Sequence, residues 1–575
     1  MWDSSRFGIV CGDLDKWPNV TSKSERTLIN LWRRTMTSSA ASRVHAILDP
    51  YNVGDAPGFV ISVLHGGLPL IRRGFGLSSL ESRLVNQPAT RMRIGSTTKH
   101  FACALALLAE QDGVCSIDDP VGRWIPELPS AQGVRTLRQL MNHTGGSRDY
   151  LDLALMSNAM SALPMDAALR YQCIQQDDNF SPGDRFIYNN GGYRLLSVAL
   201  ERMLGAPLGE LFEERLFRPL QLNDTALWVS DSDLLYGVAT NHLRRPTGDG
   251  FTRGVFPTPL LGEGGIVSTI DDMQRWLAHL QRPTLWDCAL THQLTAPTRL
   301  NNGFESAYGL GLIRERWRGV ELLHHAGGVI GGSCQMLTVS EHQLDVVIMS
   351  NRNDISASDL ALRVVEAVLQ DVLSPQALPA KVQSGSSLVG HYYCAAIGEH
   401  IELLVEDGKP VLTWFGMPLP LVDAGDGALA VNLLSIIALQ LRPRLDARGY
   451  VTGLDVREQG YQHQFDRLQL PLQGNCADLA TLQGTWHSPD LASRIDLDVD
   501  ERDCSARMLI KGLYGRARYR LSPLTKDAFL VKSDAIEVPM DGVLRRVTLE
   551  DGNVELRFTT MRSRDIRILP GSGDE

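Results

Sequence analysis

Apolar positions first gather into a continuous run at Phe59-Val60-Ile61-Ser62-Val63-Leu64. After His65-Gly66-Gly67 comes a second run, Leu68-Pro69-Leu70-Ile71. Two short runs around a glycine turn predict a β-hairpin. From Ala102 to Ala109 every residue is small or apolar, which predicts a helix buried on all sides, and Asp112-Gly113 supplies its C-cap. Thr136 to Asn142 reads as a capped helix leading into His143-Thr144-Gly145-Gly146. Leu195, Leu196, Val198 and Leu200 keep a helical period, as does Ile270 to Leu280. Three strand-like runs, Val320 to His325, Ser333 to Val339 and Leu344 to Met349, precede a helix over Ser358 to Leu373. Strands at both ends with helices between predict one α/β domain over residues 38–373, whose sheet joins its N- and C-terminal parts.

Residues 374–387 are rich in Pro, Ser, Gly and Ala and read as a linker. Beyond them the helical period disappears and short strand runs alternate with turns. This tail repeats itself. Leu388-Val389-Gly390-His391-Tyr392 answers Leu482-Gln483-Gly484-Thr485-Trp486, and Ile401 to Val405 answers Ile495 to Val499; both pairs stand 94 positions apart. Each copy predicts a small antiparallel β-barrel, one over 388–475 and one over 478–570. Residues 1–37, broken by Asp3, Asp13, Asp15 and Glu25, are expected to be a disordered N-terminal extension.

The chain has 575 residues, which fits about three or four domains. Hydrophobic content of 43% and charged content of 21% are those of a soluble globular protein. A net charge of −10 without a Lys/Arg-rich tract argues against nucleic acid as partner. No signal-like apolar region opens the chain and no apolar run reaches membrane length, so a cytoplasmic protein with no membrane partner is expected. The nine cysteines are dispersed and form no C-x-x-C pair, which speaks against zinc and redox motifs. An odd, scattered set is expected of a reducing compartment rather than of a disulfide framework.

Chemistry enters with Ser96-Thr97-Thr98-Lys99, placed directly before the apolar helix. A serine and a lysine three apart share a helix face. At a helix start the free N–H groups stabilise an oxyanion and disfavour a second positive charge, so Lys99 is a candidate base for Ser96. A serine in this place is equally an N-cap. Tyr188-Asn189-Asn190 follows the Pro182-Gly183 turn. A tyrosine beside a lysine shuttles protons, because the lysine's charge holds the phenolate at lower cost. Asn190 offers an amide to a substrate and to the lysine; the alternative is a turn under a buried tyrosine. His324-His325-Ala326-Gly327-Gly328 ends one strand before another, and glycines there allow close approach of a ligand. The alternative is a plain glycine hairpin.

In this order the three motifs, Ser96-x-x-Lys99, Tyr188-x-Asn190 and His325-x-Gly327, resemble those of the penicillin-recognising, beta-lactamase-like serine hydrolases. Gly264-Gly265-Ile266-Val267-Ser268-Thr269 and Pro219 to Leu222 resemble connecting segments of that superfamily. A histidine in the third motif and two C-terminal barrels resemble its D-aminopeptidase branch, as does Gly484 to Leu491. The resemblance implies a fold of three parts, a transpeptidase-like α/β domain and two lipocalin-like barrels. It implies an acyl-enzyme at Ser96, with Lys99 and Tyr188 moving its proton, Asn190 and His325 positioning, and Ser96 N–H plus the strand after His325 forming the oxyanion hole. It implies neither metal nor cofactor. The substrate implied is a small peptide, amide or ester, and a homodimer is the assembly to expect. Two other readings use the same residues: an esterase or D,D-carboxypeptidase, and a penicillin-binding sensor module without turnover. In the D-aminopeptidase branch a loop of the last barrel offers an aspartate to the substrate's ammonium. Here that stretch is Lys511 to Arg520, without an acid, so Arg516 and Arg518 become candidate specificity residues that favour a carboxylate. The alternative is a solvated basic turn.

Overall fold

The structure is a computed structural model that describes residues 39–375, 388–431, 439–469, 476–500, 502–534 and 540–571. The expected extension at 1–37 and nearly all of the expected linker lie outside the described residues.

A six-stranded antiparallel sheet carries the first part. Its strands are β1 (Phe59–His65), β2 (Leu68–Phe75), β3 (Ile313–Trp317), β4 (Val320–Val329), β5 (Gly332–Val339) and β6 (Leu344–Ser350), in the order β3-β4-β5-β6-β1-β2. The predicted hairpin is β1–β2, and β6 pairs with β1 from Phe59↔Ser350 to His65↔Leu344, so the two ends of the region meet in one sheet. The central strands β1, β5 and β6 are buried on both faces and divide their residues by alternation. Phe59, Ile61 and Val63 join Val346 and Ile348 in one core, against Leu360, Val364 and Val365 of a helix over Ala357–Leu369 and against Ala40, Val44 and Leu48. Val60, Val347 and Met349 face the other core, against Met273, Trp276 and Leu277. These belong to the helix Ile270–Gln281, whose N-cap Thr269 accepts from Asp272 N–H.

Within that second core lies helix α1 (Lys99–Gln111), where every residue from Lys99 to Ala109 is buried. A helix without a polar face fits only between other elements. Helices α2 (Tyr150–Asn158) and α3 (Asn190–Leu204) follow, N-capped by Asp149 and Asn189. The capped helix expected near residue 136 spans Leu137–Met141, with Thr136 and Gln139 forming a capping box.

The C-terminal region forms two closed antiparallel barrels of eight strands each, from Gly390–Cys394 to Tyr461–Arg467 and from Gly484–Ser488 to Ile566–Pro570. The sequence repeat reappears in a shared contact. Tyr392 Oη donates to Leu388 O at 2.6 Å, and Trp486 Nε1, its counterpart in the second copy, donates to Leu482 O at 2.9 Å. One cysteine expectation fails. Cys476 and Cys504 form a disulfide, in the short helix before the second barrel and in one of its turns. Their 28-residue separation hides the pair in the sequence, and the fold brings the Cα atoms to 4.8 Å. The reading of a uniformly reduced cysteine set is corrected accordingly. No helix among the described residues is long and apolar enough to cross a membrane.

Candidate active site

The short strand Met92–Arg93 pairs with Ile266–Ser268, and Ile94 N–H continues the ladder to Ile266 O at 3.1 Å. This brings Glu263, Gly264 and Gly265 beside the start of α1. The chain then makes one 3₁₀ turn, Gly95–Thr98, before the α-helix begins at Lys99. In the tighter turn, side chains three apart eclipse, which aligns Ser96 with Lys99. Gly95 has φ +54°, and a Cβ there would come within 2.8 Å of Gly328 O. At Gly327 a Cβ would overlap Ile94 O, at 1.8 Å, and stand 3.2 Å from Ser96 N. Only glycine lets β4 pass this close to the Ser96 turn.

Lys99 is wholly buried. Its Nζ stands 2.6 Å from Glu263 O, 2.9 Å from Asn190 Oδ1 and 3.2 Å from Ser96 Oγ. The first two are obligate acceptors; the Ser96 hydroxyl is the one neighbour of the three able to donate. A neutral amine with two N–H bonds and one lone pair fits this arrangement, with the lone pair toward Ser96. Burial brings Lys99 down to about 7, aided by Arg562 and opposed by Glu263 and Asp149.

Asn190 is the first residue of α3, and Asp149 fixes its amide. Asp149 Oδ2 accepts from Asn190 N at 3.1 Å and Nδ2 at 3.0 Å, while Oδ1 accepts from Leu151 N at 3.0 Å and Gly191 N at 3.2 Å. One buried carboxylate thus holds the N-termini of α2 and α3 together, where free N–H groups and helix dipoles favour it. With Nδ2 on Asp149, Oδ1 must face Lys99. Tyr188 precedes this turn, its ring 4.8 Å from Lys99 Nζ. Burial pushes its hydroxyl above the ordinary range, partly offset by the Ser96 hydroxyl and Arg562. The hydroxyl makes no hydrogen bond of ordinary geometry to a described residue. Tyr188 therefore rests as a neutral phenol.

Alternation along β4 turns His324 and His325 to opposite faces. His324 Nε2 meets Glu315 Oε1 at 2.7 Å, away from the site. His325 Nδ1 lies 2.6 Å from Ala326 O and its Nε2 3.2 Å from Tyr308 Oη, which also meets His143 Nε2 at 3.0 Å; His143 Nδ1 accepts from Asn189 N at 3.0 Å. The backbone groups at both ends set the direction of this chain. Asn189 N–H can only donate, so His143 is protonated on Nε2 and donates to Tyr308. Ala326 O can only accept, so His325 is protonated on Nδ1 and accepts from Tyr308. Burial keeps both imidazoles neutral, His325 down at about 3. The relay ties the second motif to the third.

These groups line a cleft of about 790 Å³. Ser96, Tyr188, Asn190, His325 and Gly327 line it, and Lys99 lies directly beneath. Both barrels also contribute: Trp414, Phe415, Glu458 and Gln459 from the first, Met540, Asp541, Thr560, Met561, Arg562 and Arg564 from the second. Arg516 and Arg518 are elsewhere. They lie exposed at the start of the strand Arg516–Pro523, outside the cleft. The turn before them docks on the end of α2, where Tyr514 N–H donates to Asn158 Oδ1 at 2.8 Å. The arginines that line the cleft are Arg562 and Arg564, in the turn between strands Val554–Thr559 and Ile566–Pro570. Arg562 stands over Tyr188. Its guanidinium lies 5.3 Å from the Tyr188 ring centroid.

Residues 44–369, more than half of the chain, match the family model described as Beta-lactamase. The chain belongs to the beta-lactamase family. It is a serine hydrolase. The D-aminopeptidase of Brucella ovis is 28% identical over 385 residues, 66% of this chain and 71% of that protein. That of Brucella melitensis biotype 2 is 29% identical over 378 residues, 65% and 70% of the two chains. The octameric penicillin-binding protein homologue from Pyrococcus abyssi shares the fold, with a TM-score of 0.51, 17% identity, and coverage of 92% of this chain and 99% of that one.

Sequence reasoning passed over Asp149, Asp152, Glu263, Tyr308 and Arg562. Asp149 follows His143-Thr144-Gly145-Gly146 by three residues, and Glu263 directly precedes Gly264-Gly265, both stretches already singled out. Nothing near Tyr308 or Arg562 marks them: each reaches the site only through the fold.

Proposed function

We propose that this serine hydrolase is a D-aminopeptidase-type enzyme that releases N-terminal D-residues from short peptides and amides through an acyl-enzyme. The observation that carries the mechanism is Lys99, buried, near-neutral and 3.2 Å from Ser96 Oγ. Lys99 takes the Ser96 proton as Oγ attacks the amide carbonyl. Backbone N–H groups of Ser96 and of the β4 segment after His325 hold the oxyanion. The C–N bond breaks as the leaving amine takes a proton delivered from Lys99 through the Tyr188 phenol. Water then attacks the ester with Lys99 as base; the acyl C–Oγ bond breaks, Lys99 returns the proton to Ser96 Oγ, and the released acid departs as its carboxylate. Asn190 and the His143–Tyr308–His325 relay hold the geometry.

The D-aminopeptidase relatives support the substrate class, and so does Asp152. This residue of α2 lines the cleft and is 8% exposed. Its Oδ2 accepts from Thr560 Oγ1 at 2.5 Å, while burial and Asp149 raise it to about 6. A substrate ammonium would relieve that burden. The test is a panel of D- and L-aminoacyl p-nitroanilides, p-nitrophenyl esters and D-alanyl-D-alanine peptides. Release from the D-anilides, lost in Ser96→Ala, is expected. Turnover of esters alone would replace the reading by an esterase, and stable acylation of Ser96 without turnover by a binding module.

A further inference from the structure

Two arginines line the cleft, and they differ in what they hold. Arg564 is committed: its Nη1 meets Glu399 Oε1 at 2.6 Å and its guanidinium lies over the Phe415 ring. Other buried arginines of the hydrolase part have carboxylates in direct contact, Arg93 with Asp231 at 2.5 Å, Arg148 with Asp490 at 3.0 Å and Arg194 with Glu263 at 2.5 Å. Arg562 has no such partner. Its nearest carboxylate oxygen, Asp149 Oδ2, is 3.7 Å away, and Asp149 already accepts four N–H bonds from Asn190, Gly191 and Leu151. Among the described residues the Arg562 guanidinium donates no hydrogen bond of ordinary length. Its side chain is 32% exposed, at the cleft.

The residue is also held in place. Asn179 Nδ2 donates to Arg562 O at 2.8 Å, and Asn179 Oδ1 accepts from Arg564 N at 2.8 Å. Thr560 N and Ser563 O close the turn at 2.8 Å. A pinned backbone thus delivers a planar fork of free donors over Tyr188, beside the nucleophile. Such a fork matches a carboxylate. The cleft's acids do not compete for it. Asp152 is bound by Thr560, Asp541 accepts from Ser533 N at 2.9 Å, and Glu458 faces Arg564 and Arg185.

We infer that Arg562 is a carboxylate receptor, and that the substrate is a short peptide keeping a free carboxylate close to the scissile bond. The inference rests on the hydrolase reading above and narrows it: Asp152 takes the ammonium and Arg562, two residues past Asp152's partner Thr560, takes the anion, so the cleft fits a zwitterion. The carboxylate has two sources, the C-terminus of the leaving residue or an acidic side chain on the released one.

The test compares kcat/KM within substrate pairs on the full chain. D-alanyl-glycine against D-alanyl-glycinamide reads the first source; D-glutamyl against D-glutaminyl p-nitroanilide reads the second. In one pair the carboxylate form is expected to win by about tenfold or more. Arg562→Gln brings that ratio to about one and Arg562→Lys leaves it between, whatever either does to the absolute rate; turnover of the neutral member shows that the variant folds. Equal rates within both pairs in the unaltered protein, or a preference that survives Arg562→Gln, overturns the inference. If no D-aminoacyl substrate turns over, the aminopeptidase reading falls, and the Arg562 inference is decided separately by mono-p-nitrophenyl succinate against p-nitrophenyl butyrate, with the same ratios.

Discussion

The two barrels share one sequence pattern and attach to the hydrolase domain by opposite physics. The first keeps a closed core of its own, Tyr392, Leu403, Leu412, Leu441 and Phe465 among its members, without a residue of the hydrolase domain. It reaches that domain through polar contacts. Gln459 Oε1 accepts from Phe186 N and its Nε2 donates to Phe186 O, both at 2.7 Å, and Tyr461 Oη donates to Asp184 O at 3.0 Å. These contacts fasten the segment that leads into Tyr188. The second barrel has no separate core. Ile510, Tyr519 and Phe558 pack in one cluster with Tyr150, Leu153, Met156 and Tyr171 of the hydrolase domain. Arg148 crosses the junction, with Asp490 Oδ2 at 3.0 Å from its Nη1 and its other donors on Arg564 O and Asp565 O. Identical architecture therefore does different work: one barrel positions a loop, and the other is part of the body that holds α2, Asp149 and Arg562.

The comparison breaks most readily at the Arg148–Asp490 pair, whose side chains are 1% and 2% exposed. Asp490→Ala leaves a buried guanidinium without its counter-ion, and a loss of about 3–5 kcal/mol is expected. Thermal unfolding should show the hydrolase domain and second barrel falling together; separate transitions would mean that the junction is weaker than its burial implies. Gln459→Ala strips two backbone groups of Phe186 of their partners, a loss of about 1–3 kcal/mol. Its main effect is on Tyr188, with kcat/KM lower by on the order of tenfold and a stability loss smaller than that of Asp490→Ala. A large stability loss with unchanged kcat/KM would reverse the roles given to the barrels.

The smallest effect concerns pH. In the proposed mechanism Lys99 is neutral when it receives the Ser96 proton, and burial lowers it to about 7. Activity is thus expected to fall as pH drops below about 7 and to level off above it. Arg562, from the second barrel, helps depress Lys99, so Arg562→Gln moves the acid limb to higher pH. Gln459→Ala, in the first barrel, leaves the limb in place. A kcat/KM profile that shifts in both variants, or in neither, would remove the electrostatic distinction between the barrels.

The order and kind of the elements were legible because burial leaves a period in the sequence. The strand runs at Phe59, Val320, Ser333 and Leu344 and the apolar stretch after Lys99 all appear as elements, and the 94-residue repeat appears as two barrels. The three motifs were legible for another reason: Ser96 with Lys99, Tyr188 with Asn190, and His325 with Gly327 are each set by local geometry within a turn or strand. Arg518 illustrates the limit. Placing a loop of the last barrel in the cleft by correspondence of sequence chose the wrong turn, since the docking of a barrel is not a local property.

The three-part fold and the closeness of Ser96 and Lys99 follow from the sequence alone, because periodicity and short-range spacing act within one element. Only the tertiary structure decided the rest. It lowered Lys99 by sealing it under Ser96, Asn190 and Glu263, since desolvation depends on everything packed around a charge. It fixed the protons of His143 and His325 through Tyr308, 165 and 17 residues from its two partners. It also brought Arg562 over Tyr188 and closed Cys476 on Cys504, through contacts between elements that no spacing along the chain encodes.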